Sequence, residues 1–326
     1  MSMRIFVTGA TGFLGSVVVS RLEEEGHEVT ALLLPHEPGK GLGATTVVRG
    51  DITEPESLRG LMEGLDAVVH LAGAVGYGQE WSVCRKLNVE GTRNVAEEAK
   101  RAGVRRFLHM SSVCVYGRVP ERPIPESSPM RLTGDPYGDT KIGAERVLAE
   151  FDFDATIFRP TVIYGPGDVR FLPKILENLA SGKARVIGEG KNSVDLVHVK
   201  DVAAFVSLAV AKKESIGQAY NLNNPDNPTW KELLRFVADE GGYSRPAGKI
   251  SYPVAMAVAG TMEFFSWFTC RPPRLTRYAV RVVGRQYRYE TDRARALGFR
   301  PSVTVEDGLR ACLEGVADQS RISSRT

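Results

Sequence analysis

A chain of 326 residues is long for one compact core, so one large domain with a smaller lobe is the expected organisation. Its 43% hydrophobic and 25% charged residues are those of an ordinary soluble globular protein, and a net charge of +3 gives no global case for a nucleic-acid partner. The four cysteines, Cys84, Cys114, Cys270 and Cys312, show no metal-ligand or CxxC spacing, so they read as reduced, packed thiols in a cytoplasmic protein and no metal is expected.

The chain opens on a β-branched and aromatic run, Ile5-Phe6-Val7, which reads as a buried strand. Its start near residue 4 leaves no room for a signal or transit peptide. The run breaks into TGATGFLG (Thr8 to Gly15) and resumes as an apolar-periodic segment through Val17, Val18, Val19 and Leu22. Strand, glycine turn and helix together expose backbone N–H groups at a helix N-terminus, where a pyrophosphate can sit. Gly9 permits the tight turn, Gly12 lets phosphate approach the main chain, and Gly15 lets helix and strand pack closely. The spacing is GxxGxxG rather than GxGxxG, and an ordinary strand–helix turn of small residues is the bland alternative.

Further strands are predicted at 28–34, 46–51, 67–72, 106–111 and 156–159, with a long amphipathic helix over 83–101 that Gly103 stops and another helix starting near Tyr137. Regular alternation of strand and helix predicts an α/β fold, a doubly wound parallel sheet. It weakens after Pro160, so residues 1–165 are expected to form the dinucleotide-binding domain, with 194–222 returning to it. Residues 166–326 are expected to form a smaller, mainly helical lobe. At the end of the second strand stands Leu34, where an acid would bind adenosine ribose hydroxyls. With no carboxylate there and His36 and Lys40 just beyond, the choice between NAD and NADP stays open with a lean to NADP. Asp51 is placed either to accept from the adenine amino group or to cap the turn before Thr53.

The chemistry points to Tyr137 and Lys141 in PYGDTK. Positions i and i+4 share a helix face, and a neighbouring cation lowers a phenol's pKa toward a value useful for proton transfer. Alone the pair is weak evidence. It gains weight from Ser111-Ser112, which leave the C-terminal edge of a parallel strand toward the ligand crevice. Asn88 is a poor helix former inside the long helix, best explained by a local kink or a relay role. His70 and His198 read as structural, and Trp81 and Trp267 as ambiguous between core and pocket.

With these in hand, the chain resembles the extended short-chain dehydrogenase/reductases, with a Rossmann domain, over nearly its whole length. The stretches that carry the resemblance are TGATGFLG, GDITEPESL, VVHLAG, LNVEGTRNV, MSSVCVYG, PYGDTK, FRPTVIYGPGD and VDLVHVKDVA. The resemblance implies Ser112, Tyr137 and Lys141 as catalytic residues, with Asn88 supporting a proton relay through water. It implies cofactor contacts at Gly9, Thr11, Gly12, Phe13, Leu14 and Gly15, at Leu34, Asp51 and Ile52, at Leu71, Ala72 and Gly73, and near Pro160 and Ile163. A homodimer through the helices of Asn88 and Tyr137 is also implied.

Val113 and Cys114 stand where dehydratases of this family carry acids, which argues against dehydration. Val194 stands where nucleotide-sugar epimerases often carry an arginine, which puts such a substrate in doubt. Pro253 to Cys270 is strongly apolar with one charge, Glu263, and the following segment to Arg300 holds nine arginines against Glu290 and Asp292. This arrangement looks like the 3β-hydroxysteroid and sterol dehydrogenase branch. The apolar stretch is short for a membrane span and reads as a core helix, a substrate lid or an interfacial membrane contact. The expected activity is an NAD(P)-dependent dehydrogenase/reductase acting on a secondary alcohol or ketone of a steroid, sterol or similarly apolar molecule. A nucleotide-sugar 4-epimerase, for which Arg274 and Arg277 would clamp a diphosphate, is the runner-up. A dinucleotide-sensing regulator without chemistry is a third reading.

Overall fold

The computed structural model describes residues 2–39, 42–43, 45–76, 79–117, 123–269 and 275–323. Its first half runs β1 (Arg4–Thr8), α1 (Phe13–Glu24), β2 (Glu28–Leu33), β3 (Thr46–Arg49), α2 (Pro55–Leu58), β4 (Ala67–His70), α3 (Trp81–Cys84), a π-helical turn (Arg85–Glu90), α4 (Gly91–Arg101), β5 (Arg106–Met110), a 3₁₀ turn (Val113–Tyr116), β6 (Pro123–Ile124) and α5 (Pro136–Leu148). The second half runs β7 (Asp154–Pro160), β8 (Val162–Tyr164), α6 (Leu172–Ala180), β9 (Val186–Ile187), β10 (Leu196–His198), α7 (Val199–Ala211), a 3₁₀ turn (Lys213–Ser215), β11 (Gln218–Leu222), α8 (Trp230–Glu240), β12 (Lys249–Ile250), α9 (Tyr252–Thr269), α10 (Arg277–Gly284), β13 (Arg288–Tyr289), α11 (Asp292–Leu297) and α12 (Val305–Ser323).

Seven strands form one sheet in the order β11-β7-β5-β4-β1-β2-β3, every pairing parallel. A parallel sheet is covered on both faces, so its strands must be apolar on both sides. On β1, Ile5 and Val7 meet α1 and α7 through Val18, Leu22, Val202 and Val206, whereas Phe6 meets α4 through Val95, Ala96 and Ala99. The predicted strands 28–34, 46–51, 67–72 and 106–111 end one or two residues earlier, because their last residues turn away into the crevice loops. The strand predicted at 156–159 extends to 154–160, and the helix predicted at 83–101 starts at Trp81 and is interrupted by the π turn.

Strand order reverses between β1 and β4, which opens a crevice at their C-terminal ends. Beyond β8, α6, α8 and α12 bury a second core around Leu176, Leu233, Val237 and Leu309. Helix α9 packs on α10 through Ala255, Ala259 and Val280. It is not a core helix: Val254, Met262, Phe264 and Phe265 are exposed, and Glu263 pairs with Arg277 at 2.6 Å. Among the described residues no helix is long and apolar enough to cross a membrane.

Candidate active site

The glycine turn after β1 closes against the end of β4. Gly9 has φ +69°, and a Cβ there would lie 2.8 Å from Ala72 N; a Cβ on Gly15 would collide with the Gly9 carbonyl. The turn thus admits no side chains at these two positions. Helix α1 begins at Gly12 with no side-chain cap and no acid in its first turn, leaving its N–H groups free for an anion. Thr11, Phe13 and Leu14 belong to this same loop and first turn, and Phe13 also neighbours Gly167.

The corner at the end of β2 differs from the expectation that no carboxylate stands there. Leu34 is half exposed and offers only its backbone; its N–H donates to Glu37 Oε2 at 3.2 Å, while Thr11 Oγ1 donates to Glu37 Oε1. Arg49 holds this loop by donating Nη1 to the carbonyls of Leu34 and Glu37 at 2.8 and 2.7 Å. A carboxylate therefore sits beside the glycine turn, supplied from three residues beyond the strand. Lys40 lies outside the described residues. Asp51 Oδ1 accepts from Thr53 N at 2.8 Å, the turn-capping contact. Ile52 is buried against Gly91, and its carbonyl accepts from Asn94 Nδ2.

Next to the crevice, a chain of hydrogen bonds crosses β4. Ala72 N donates to Thr8 Oγ1 at 3.1 Å, Thr8 Oγ1 lies 2.8 Å from His70 Nδ1, His70 Nε2 lies 3.0 Å from Thr92 Oγ1, and Thr92 Oγ1 donates to Asn88 O at 2.6 Å. A hydroxyl has one hydrogen. Thr92 gives its own to Asn88, so it accepts from His70 Nε2–H, and His70 Nδ1 accepts from Thr8. Burial holds this histidine neutral, its pKa pushed down to about 3, with the Lys141 charge acting the same way. His70 thus fixes the π turn that carries Asn88. His198 likewise caps α7, its Nδ1 accepting from Lys200 N, and packs on Tyr164.

Asn88 is buried, and its Nδ2 donates to Thr140 Oγ1 at 2.9 Å, which ties the π turn to α5. Its Oδ1 has no partner and faces Gly73, where a Cβ would lie 2.6 Å from Asn88 Oδ1 and 3.4 Å from Lys141 Nζ. An orphaned buried acceptor and a buried ammonium therefore converge on one glycine at the crevice. Lys141 Nζ donates to Met110 O at 2.8 Å; burial lowers its pKa to about 8, against the raising effect of Glu145.

The two serines after β5 divide. Ser111 Oγ donates to Glu145 Oε1 at 2.5 Å, whereas Ser112 Oγ accepts from Cys114 N at 3.2 Å and is hydrogen-bonded to Tyr137. Removal from water raises the Tyr137 pKa well above its ordinary value, and the Ser112 bond and the Arg170 charge pull it back. Leu71 N donates to Thr8 O; Pro160 ends β7, which pairs with β5, and Ile163 lies on β8, which pairs with β10. Tyr137, Ser112, Lys141, Asn88 and Gly73 thus come together at one end of the sheet, next to the glycine turn.

Two expected features of a cofactor cradle are present, a glycine turn that excludes Cβ atoms and an uncapped helix N-terminus, and one unexpected feature joins them, the Glu37 carboxylate at the end of β2. These residues fit a dinucleotide. Arg277 is engaged with Glu263, Trp81 is half exposed, and Arg274 and Cys270 lie outside the described residues, as does the side chain of Trp267. Among the described residues no group of His, Cys, Asp and Glu could hold a metal. Glu37 and Glu145 were not singled out from the sequence; Glu37 sits outside the strand-end position, and Glu145 is marked only by its four-residue spacing from Lys141.

Comparison with known proteins agrees with this geometry. The family model described as NAD dependent epimerase/dehydratase family matches residues 5–223. A 2-alkyl-3-oxoalkanoate reductase of Stenotrophomonas maltophilia is 31% identical over 94% of this chain and 98% of its own. A 3 beta-hydroxysteroid dehydrogenase/Delta 5-->4-isomerase of Mycobacterium tuberculosis is 30% identical over 95% of this chain and 89% of its own. The crystal structure of DesIV, a dTDP-glucose 4,6-dehydratase of Streptomyces venezuelae with NAD and TYD bound, superposes with a TM-score of 0.78 at 26% identity, covering 98% of each chain.

Proposed function

Because the chain belongs to the NAD dependent epimerase/dehydratase family, we propose that it is an NAD-dependent oxidoreductase that interconverts a secondary alcohol and a ketone in an apolar 3-hydroxy or 3-oxo compound. The observation that carries this reading is the meeting of Tyr137, Ser112, Lys141 and Asn88 beside the glycine turn. When bound, the nicotinamide accepts or supplies the hydride. Tyr137 Oη gives a proton to the substrate oxygen in reduction and takes it back in oxidation. Ser112 Oγ, already at the phenol, holds that same oxygen where charge develops. Lys141 holds the nicotinamide ribose, and its positive charge favours phenolate formation. Asn88 Oδ1, the unpartnered acceptor at Gly73, holds by its hydrogen bond a water through which protons reach the site.

Glu37 supports NAD over NADP, since a carboxylate accepts ribose hydroxyls and repels a 2′-phosphate. The apolar substrate is supported by the two relatives named for 3-oxo or 3β-hydroxy compounds and by Val194, a buried apolar residue where nucleotide-sugar epimerases often carry an arginine. The test is nicotinamide absorbance with NAD and a panel of 3β-hydroxysteroids, or NADH and 2-alkyl-3-oxoalkanoates. Turnover is expected with at least one member, and Tyr137→Phe lowers its kcat by about 10²-fold or more. Turnover unchanged in that variant would sink the proton-transfer role. A flat trace with every apolar compound, together with tight binding of nucleotide sugars, would favour an epimerase.

A further inference from the structure

Tyr137, Lys141 and Glu145 occupy positions i, i+4 and i+8 of α5, so their side chains share one stripe of the helix. Proton transfer and ribose binding use the first two, and leave a buried carboxylate on the third. A carboxylate taken out of water needs partners. Glu145 has a full set: Arg159 of β7 donates Nε to Oε1 at 3.0 Å and Nη2 to Oε2 at 2.5 Å, and Ser111 Oγ donates to Oε1. The guanidinium is fixed in turn, its Nη1 donating to Tyr116 Oη at 2.8 Å and to Glu126 O at 3.1 Å. Both side chains of the ion pair are less than a tenth exposed.

A buried pair of this kind is a weak source of stability, because desolvation offsets the attraction. Its placement has a stronger consequence. The titratable groups of other elements that act with Lys141 are Cys84 on α3, His70 on β4 and His109 on β5, and Tyr137 precedes it on its own helix. Burial keeps the thiol and the phenol protonated and both imidazoles uncharged. Glu145 is therefore the carboxylate whose charge favours the ammonium, one helical turn along α5 and not in an ion pair with it.

We propose that Glu145 is a positioning residue of this centre. Clamped by Arg159 and Ser111 one helical turn from Lys141, its carboxylate holds the lysine in its ammonium form. Its grip on Ser111 also turns Ser112 toward Tyr137, since successive residues of extended chain point to opposite sides. The inference rests on Lys141 as a cofactor-binding residue, and it assigns a task to a residue that touches neither cofactor nor substrate.

The test is NADH binding, followed by its fluorescence between about pH 6 and about pH 10, which needs no knowledge of the substrate. In the parent, Kd rises once Lys141 loses its proton, near pH 8. In Glu145→Gln the rise begins at least about half a pH unit lower, because the anion that favoured the charged lysine is gone. Glu145→Asp, which keeps the charge, moves the curve back toward the parent. Should Glu145→Gln fail to fold with Arg159 left unpaired, Glu145→Leu/Arg159→Met removes both charges together, a change that buried pairs tolerate, and is expected to move the curve in the same direction by less, because the cation that opposes the ammonium goes too. A folded variant lacking the carboxylate whose curve overlies the parent's overturns the inference alone, whatever its thermal stability. Failure of the parent to bind NADH at any pH overturns the reading of the site as well.

Discussion

At the scale of single residues, the sharpest consequence concerns Glu37. Its carboxylate is held at the mouth of the glycine turn by the Leu34 N–H and the Thr11 hydroxyl, and its loop is pinned by Arg49. Hydrogen bonds to a charged group contribute roughly 1.5–3 kcal/mol when made and are lost when the acceptor is removed. Glu37→Ala is therefore expected to weaken NAD about tenfold or more, a loss set by that range. NADP gains at the same time, because the repulsion of its 2′-phosphate goes with the carboxylate. The ratio of kcat/KM for the two cofactors reads this directly. A ratio that does not move would show that Glu37 faces Thr11 alone and leaves the ribose to other groups.

At the scale of elements, the π turn of Arg85–Glu90 between α3 and α4 is the structural device of the site. An extra residue in the turn breaks the regular ladder, and such turns gather at functional positions. Here Thr92 Oγ1 bonds back to Asn88 O and receives His70 Nε2, so the turn is fixed from β4. Thr92→Val keeps the shape but leaves the His70 N–H and the Asn88 carbonyl without this partner. The expected cost is about 1–3 kcal/mol of stability, with weaker NADH binding as Asn88 shifts. Denaturant unfolding and NADH titration check the two halves separately, and a variant as stable as the parent would remove His70 from the account. The sequence discloses such features unevenly, for a physical reason. The glycine turn is legible because its chemistry is local: each glycine answers to backbone within a few residues. Asn88 is legible as an anomaly, a poor helix former in a long helix. Glu37 escapes because a loop carries its carboxylate to a position that strand counting assigns to Leu34. The Glu145–Arg159 pair escapes because it joins a helix to a strand, and no periodicity links 145 to 159. The return of 194–222 to the sheet is legible, and β11 pairs with β7 where Phe205 of α7 packs on Phe158 and Tyr220 of the two strands.

At the scale of the molecule, Asp195 sits where the sheet meets the second core. It immediately precedes β10, its carbonyl accepts from Val162 N, and its carboxylate meets Asn223 Nδ2 at 3.4 Å just past the end of β11. A cavity of about 350 Å³ opens beside it, lined by Asn223, Asn227, Tyr287, Arg288 and Arg295. Burial pushes the Asp195 carboxyl up from 3.8 to about 7, and the single Asn223 bond only partly opposes this. A folded-state pKa above the unfolded value means that the native chain binds the proton more tightly between those two limits. Stability therefore falls as pH rises through that window and is level above it. Asp195→Asn removes the ionisation while keeping an oxygen for Asn223. Its advantage over the parent should be small near pH 4, grow to about 2 kcal/mol by pH 7, and stay constant beyond, the figure allowing for the water that still reaches the carboxylate. Urea unfolding across that range measures it. An advantage independent of pH would mean that the carboxylate is not desolvated at this seam. A loss growing with pH would mean instead that Arg288 or Arg295 turns across the cavity to pair with it, so that the two halves are held together by charge rather than by the cores on either side.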